Sequence, residues 1–238
     1  MKLEELNLPV SEGQFQVKYG ESVLSEFVHS HEYSGLIDEL VQNDYDAKSP
    51  KSIIEFGQDR LISRGFGDPI DEPGWQRLQI VMGTGKDVPP KLSLLGIKNQ
   101  GLRALFLLGD FIVVRSSGCF TVLSLEHGCL KERQKDVANC QATGTVIEIP
   151  YRSVETNGLP VFTTEKEVSL MKELETALPL KLGMLPTPMY KGLMNTVIVV
   201  SKRTGVTLTC KQAILSEGQS VPIEDRIQRR ITLEIRRI

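Results

Sequence analysis

The chain has 238 residues, 28 Lys and Arg against 30 Asp and Glu, and a formal net charge of −2. That length is ample for a buried core, and the balance excludes a globally basic nucleic-acid binder while leaving room for a local basic patch. The four cysteines, at 119, 129, 140 and 210, have no metal-type C-x-x-C spacing, no apolar run is long enough for a membrane span, and the N-terminus MKLEELNLPVSEG is too polar for a signal peptide. The reading is a soluble cytoplasmic protein with reduced thiols.

Charge is unevenly spread. Residues 1–150 carry 15 basic and 21 acidic side chains, and residues 151–238 carry 13 and 9. The shift coincides with the turn-rich stretch SVETNGLP (153–160) and marks an organisational boundary near residue 150.

In chain order, QFQVK (14–18) alternates like a short strand. Ser22 to Ala47 has helical spacing, with Gly35 as a break or kink. SIIEF (52–56) and RLIS (60–63) read as strands around Gly57, and RGFGDPIDEPGW (64–75) has too much Gly and Pro for either element. Residues 83–101 read as a Gly-, Lys- and Pro-bearing loop, and Gly101 to Leu108 as the start of a helix. DFIVVRSS and CFTVLSLEHG read as strands, residues 130–143 as a polar loop, and GTVIEIPY (144–151) as a strand. Residues 164–178 are helical, and NTVIVVSK, GVTLTCKQ and RRITLEIRRI are strand-like. The chain stops inside that last pattern, as the front piece of a longer protein would.

The chemistry concentrates in ELVQNDYDA (39–47). At about 100° per residue, Glu39, Asn43 and Asp46 share one helix face while Leu36, Leu40 and Val41 face a sheet. By itself such a face can be plain solvated surface. Glycine-bearing turns follow: RLISRGFG, VMGTGKD, LLGIKNQGLRALF and ATGTVIEI. Glycine turns opening helices offer free backbone N–H groups to phosphate.

Together these motifs resemble the GHKL superfamily of ATPases, which takes in gyrase-type topoisomerases, heat-shock chaperone ATPases, histidine kinases and MutL. The nearest resemblance is to the chaperone and MutL-like branch. The family's first box, E-x-x-x-N-x-x-D-A, is matched by Glu39, Asn43, Asp46 and Ala47. GLRALFLLGDFIVVRSSG resembles its helix–Asp–strand segment, with Gly101, Phe106 and Asp110 as anchors, and Gly144–Thr145 its last motif. The resemblance covers roughly residues 14–150.

Two positions depart from the pattern. The second box, D-x-G-x-G, reads Ser63, Arg64, Gly65, Phe66, Gly67, so the aspartate that takes the adenine amino hydrogen is a serine. Loss of a charge-assisted bond of about 1.5–3 kcal/mol weakens base binding roughly 10- to 100-fold unless another group substitutes. Asp68 is the stand-in that sequence proximity suggests; Asp59 lies four residues upstream, too far. In the G-x-x-G-x-G turn, Gly96, Asn99 and Gly101 fill the glycine positions, and Asn tolerates left-handed backbone.

The resemblance implies a Bergerat ATP-binding fold: a two-layer α/β sandwich (α+β) with a mixed, mostly antiparallel sheet and helices on one face. Residues 1–150 would form the ATP-binding domain, and 151–238 would continue it or begin another. It implies Asn43 as the Mg²⁺ ligand and Glu39 as the base that orients or deprotonates water. Asp46, Ala47, Ser63, Gly65, Gly67 and Thr145 would line the adenine. Gly83, Gly85 and Lys86 would belong to a lid, and Gly96, Lys98, Asn99, Gly101 and Leu102 would receive phosphate. It further implies Mg²⁺-dependent ATP binding, slow hydrolysis that drives lid closure, and a homodimer on nucleotide binding. The competing reading is a non-hydrolysing nucleotide sensor or interaction module on the same fold. A histidine-kinase domain is disfavoured by Glu39. A DNA-maintenance or defence ATPase would use Arg226, Arg229, Arg230, Arg236 and Arg237 against nucleic acid or an acidic protein surface. His29, His31 and His127 are too scattered for a metal site, and Trp75 reads as a packing anchor. GTGKD lacks the length and hydroxyl of a P-loop.

Overall fold

Alternation builds the centre of the molecule. In Lys51–Phe56 (β1) and Arg60–Gly65 (β2) every second residue is buried, and the two strands form an antiparallel hairpin closed by Gly57 N–H donating to the Arg60 carbonyl. The computed structural model describes residues 32–79, 101–125, 128–135, 144–185, 194–216 and 228–237. Within them lie seven further strands: Phe111–Ser116 (β3), Cys119–Ser124 (β4), Gly128–Lys135 (β5), Thr145–Pro150 (β6), Thr196–Ser201 (β7), Val206–Ser216 (β8) and Gln228–Arg237 (β9). All nine join one sheet in the order β5-β4-β3-β6-β2-β1-β7-β8-β9. Every pairing is antiparallel except β1 with β7. The protein is therefore α+β, with a large, mixed, mostly antiparallel sheet. The β1–β7 pairing makes the strands beyond residue 151 part of the same sheet.

Two long helices cover one face. Tyr33–Asp46 (α1) buries Leu36, Ile37, Leu40, Val41 and Asp44, positions that recur at helical spacing. Thr164–Met184 (α4) buries Leu170, Met171, Leu174, Leu178 and Leu182. Thr163 caps it by accepting from Lys166 N–H, and Glu165 and Glu167 in its first turn oppose the helix dipole. These side chains meet Ile54, Phe56, Leu61, Ile147, Ile149, Val197, Val199 and Leu208 in one continuous core. Among the described residues there are two shorter helical segments, Glu72–Gln79 (α2) and Gly101–Ala104 (α3), the latter running into a 3-10 turn at Leu105–Leu107. At β3 and β4 the sheet is buried on both faces: Val113, Phe120 and Val122 form a second small cluster away from the main core.

Several sequence expectations are corrected here. Gly35 does not break a helix; it sits in the first turn of α1, its N–H bonded to the Glu32 carbonyl. The stretch 64–75 does form regular structure. β2 runs through Gly65, and α2 begins at Glu72 with Pro73 in its first turn, where no intrahelical N–H is required. Asp71 Oδ1 accepts from Gly74 N–H at 2.9 Å and opens that helix. The polar loop expected at 130–143 begins as strand β5, which occupies a sheet edge and so needs only one hydrogen-bonding neighbour. α4 continues past residue 178 and through Pro179. QFQVK lies outside the described residues.

Two arginines, Arg152 buried and Arg203 partly so, tie the ends together. The Arg152 side chain has no solvent exposure; it pairs with Asp110 at 2.8 Å and donates to the carbonyls of Phe106, Leu107 and Pro160. Arg203 pairs with the buried Glu167 and stacks 4.3 Å from the Tyr151 ring centroid. Ser201 donates to Glu167 at 2.5 Å. Burial pushes the Glu167 carboxyl up, and Ser201 and Arg203 pull against it.

Candidate functional site

Three cross-strand rows run over the helix-covered face of the central strands. The first, Phe56–Leu61–Ile149, is fully apolar and buried. The second, Ile54–Ser63–Ile147–Val114, admits one hydroxyl. The third, Ser52–Gly65–Thr145–Ser116, is small and polar throughout. The C-terminal end of α1 lies over that third row. A polar row on a core-facing side costs stability unless its groups are matched. Part of it is matched: Ser116 donates to the Gly144 carbonyl at 2.9 Å and accepts from Ile70 N–H at 3.0 Å and from Thr145 Oγ1 at 3.3 Å.

Close approach explains the glycines. A Cβ on Gly65 would overlap Asp44 Oδ1 and lie 2.7 Å from Asp44 Cγ. Gly144 has φ +81°, and a Cβ there would strike the Gly65 carbonyl, so both its conformation and its space require glycine. Gly67 packs on the Ala47 carbonyl and Ser49 N, next to the 2.6 Å bond from Asp68 N–H to Ala47 O. The Ser49 hydroxyl closes the clamp. It donates to the Lys51 carbonyl at 2.5 Å and accepts from Phe66 N–H at 2.7 Å.

Of the expected site residues, Glu39, Asn43, Asp46 and Ala47 are all half-buried on α1 and its last turn. Asn43 O accepts from Ala47 N–H, which fixes that turn. Ser63 is buried, 3% exposed. Gly65 pairs with Thr145 at this end of the sheet, and Gly67 lies against Ala47. Leu102 packs against the core beside α1, and Phe106 is buried within it. Gly101 begins α3. Asp110 serves as Arg152's partner. Gly83, Gly85, Lys86, Gly96, Lys98 and Asn99 lie outside the described residues, as do Arg226, His29, His31 and His127.

Asp68 is not the stand-in carboxylate that its position in the sequence suggests. It pairs with Lys48 at 2.7 Å on the surface, with both side chains more than half exposed. Asp59 is held at the β1–β2 turn by Arg60 at 2.9 Å, which keeps its carboxyl below the usual range.

Sequence reasoning missed Asp44. It is 7% exposed, and its Oδ2 has no hydrogen-bond partner. Burial pushes its carboxyl up to about 7; the Ser52 hydroxyl beside it pulls the other way without reaching hydrogen-bonding geometry, and Ser52 Oγ is itself unpartnered. The signal was present, since Asp44 is four residues beyond Leu40 and eight beyond Leu36, inside the apolar stripe of α1.

Arg229, Arg230, Arg236 and Arg237 fall on edge strand β9. Arg236 pairs with Glu234 at 2.8 Å and Arg237 with Glu175 at 3.2 Å; Arg230 is exposed. A cleft of about 350 Å³ on the β7–β9 side is lined by Asn195, Lys211, Gln212 and Arg230, among others, and by none of residues 39–47. Among the described residues no helix is long and apolar enough to cross a membrane.

No family model matches the chain. No curated protein matches it. Among solved structures, one described as the crystal structure of the N-terminal domain of a DNA repair protein is 14% identical. It covers 90% of this chain and 71% of its own, with a TM-score of 0.48. A likeness that weak carries no argument about activity.

Proposed function

We propose that this chain is a GHKL-type ATP-binding module with a Bergerat-like layering of helices on a sheet. One observation carries the reading. Motifs separated by up to about a hundred residues converge at one end of the sheet, where Asn43 to Ala47 lie over the polar row Ser52–Gly65–Thr145–Ser116. A row destined only for the core would be aliphatic, as the two rows beside it largely are. Small hydroxyls and glycines instead suit a flat base with polar edges.

In this reading Asn43 would supply an amide oxygen to Mg²⁺, a hard ion that prefers oxygen ligands, and Glu39, one turn earlier, would orient the attacking water. The half-buried amide of Asn43 fits such a ligand. Bound Mg²⁺ would neutralise phosphate charge. ATP binding and slow hydrolysis would then drive closure and dimerisation. The non-hydrolysing sensor is the second reading, and Ser63 in the second box favours it.

Calorimetric titration with a non-hydrolysable ATP analogue, with and without Mg²⁺, tests the proposal. Mg²⁺-dependent binding is the expected result; no binding up to millimolar nucleotide overturns it.

A further inference from the structure

The second box lacks its carboxylate at Ser63, and the fold delivers a carboxylate to the same surface from a different element. Ser63 and Gly65 project from one face of β2, two residues and so about 7 Å apart along the strand. The Asp44 carboxyl fills the space that a side chain at Gly65 would take. It comes down from α1 at a position whose stripe neighbours, Leu36, Ile37, Leu40 and Val41, are all aliphatic. A carboxyl there, with one oxygen unpartnered, is costly to keep and does no packing that a leucine would not do better. Next to it, Ser52 Oγ is unpartnered as well. Two adjacent buried polar atoms without partners mark a place where a polar ligand edge is missing.

We propose that Asp44 reads the purine edge: its carboxylate accepts the exocyclic amino hydrogen of adenine, taking over from α1 the role that the second box assigns to a strand residue. This rests on the ATP-binding reading above. Ser63 then needs no charge, and Gly65 is glycine because the carboxyl lies across it.

The assignment carries a specificity signature. The carboxylate accepts from the amino group of adenine and has no hydrogen to give the 6-oxo group of hypoxanthine. The groups facing Asp44 are the Ser52 hydroxyl from β1 and the Gly65 main chain from β2.

The experiment compares binding of ATP and inosine triphosphate, each with Mg²⁺, at pH 8, in the wild-type chain and in Asp44→Asn. The wild type should favour ATP about 10- to 100-fold. In Asp44→Asn the amide can turn either way, and the preference should fall to within about threefold. A variant that keeps the wild-type preference overturns the assignment. Should Asp44→Asn not fold, the wild-type ratio decides alone, since equal affinity for the two nucleotides overturns it too. Binding of neither nucleotide by the folded wild type overturns the ATP reading itself, which separates the two failures.

Discussion

The Asp44 carboxyl and the bare Cα of Gly65 occupy each other's space: the helix residue reaches into the gap left by the strand residue's missing side chain. The pair should therefore be strongly coupled. Gly65→Ala forces the carboxyl off its seat and should cost about 1–3 kcal/mol. Asp44→Ala vacates the seat, so in the double variant most of that cost should vanish. Urea unfolding of the four proteins in the cycle measures it; additivity within about 0.5 kcal/mol would show that the two residues do not contend for one space.

The same carboxyl sets a pH dependence of stability. Burial raises its folded pKa to about 7 from the ordinary aspartate value of 3.8, so between those values the native state holds a proton that the unfolded chain has released. Stability from this group is present in full below about pH 4 and is lost as pH rises toward 7, with a total on the order of 4 kcal/mol at most. Asp44→Asn removes the ionisation. The variant should gain on the wild type as pH rises from 5 to 8. Chemical denaturation across that range checks it, and a difference that stays constant with pH would contradict the assignment of the shift to Asp44.

Much of this architecture is legible in the amino acids because it obeys simple periods. Ile54 and Phe56, or Leu61 and Ser63, fall on every second position because each of these strands buries one face. What escaped notice was governed by context instead. Gly128–Lys135 pairs at a sheet edge, where a run as polar as LKERQK is tolerated, so periodicity gave no strand signal. Pro73 and Gly74 weigh against a helix by composition, yet Asp71 caps α2 and Pro73 sits where proline is harmless. In α1, the face bearing Glu39, Asn43 and Asp46 drew attention to polar residues in polar places. The informative one was Asp44, a polar residue in an apolar place.

Arg152 should be among the most sensitive positions for stability. Its guanidinium is fully buried, joins Asp110, and donates to three main-chain carbonyls, those of Phe106, Leu107 and Pro160. Arg152→Ala leaves those acceptors unmatched and should cost about 3–5 kcal/mol. Arg152→Lys should recover little, because a point ammonium cannot reach the same fan of acceptors. Asp110→Asn keeps the carbonyl contacts and loosens a partner that is about a third exposed, so it should cost about 1 kcal/mol. Thermal unfolding ranks the three; a lysine variant as stable as the wild type would show that the fork geometry is dispensable.

Lys48 closes α1 in left-handed backbone, at φ 58°. That region costs an L-residue about 1–2 kcal/mol, and glycine far less. Against this stands a surface ion pair with Asp68 that solvent reduces to about 0–1 kcal/mol. Lys48→Gly should therefore raise stability by about 0.5–1 kcal/mol, seen as a higher Tm, and Asp68→Ala made in the wild type should change little. A Tm that falls in Lys48→Gly would mean that the ion pair outweighs the backbone strain.

If the chain binds ATP as proposed, Glu39 and Asn43 should separate binding from turnover. They lie one helical turn apart on α1, so in that reading one would face water and the other metal-bound phosphate. Glu39→Ala removes the base but no phosphate or base contact, so ATP affinity should stay within about threefold while hydrolysis falls by 10²- to 10⁴-fold. Asn43→Ala removes the oxygen ligand, and the Mg²⁺-dependent part of ATP affinity should disappear. Affinity by calorimetry and turnover by phosphate release distinguish the two losses. Unchanged hydrolysis in Glu39→Ala would remove the general-base role, and a chain that binds ATP in a Mg²⁺-dependent way without any turnover would belong with the non-hydrolysing sensors.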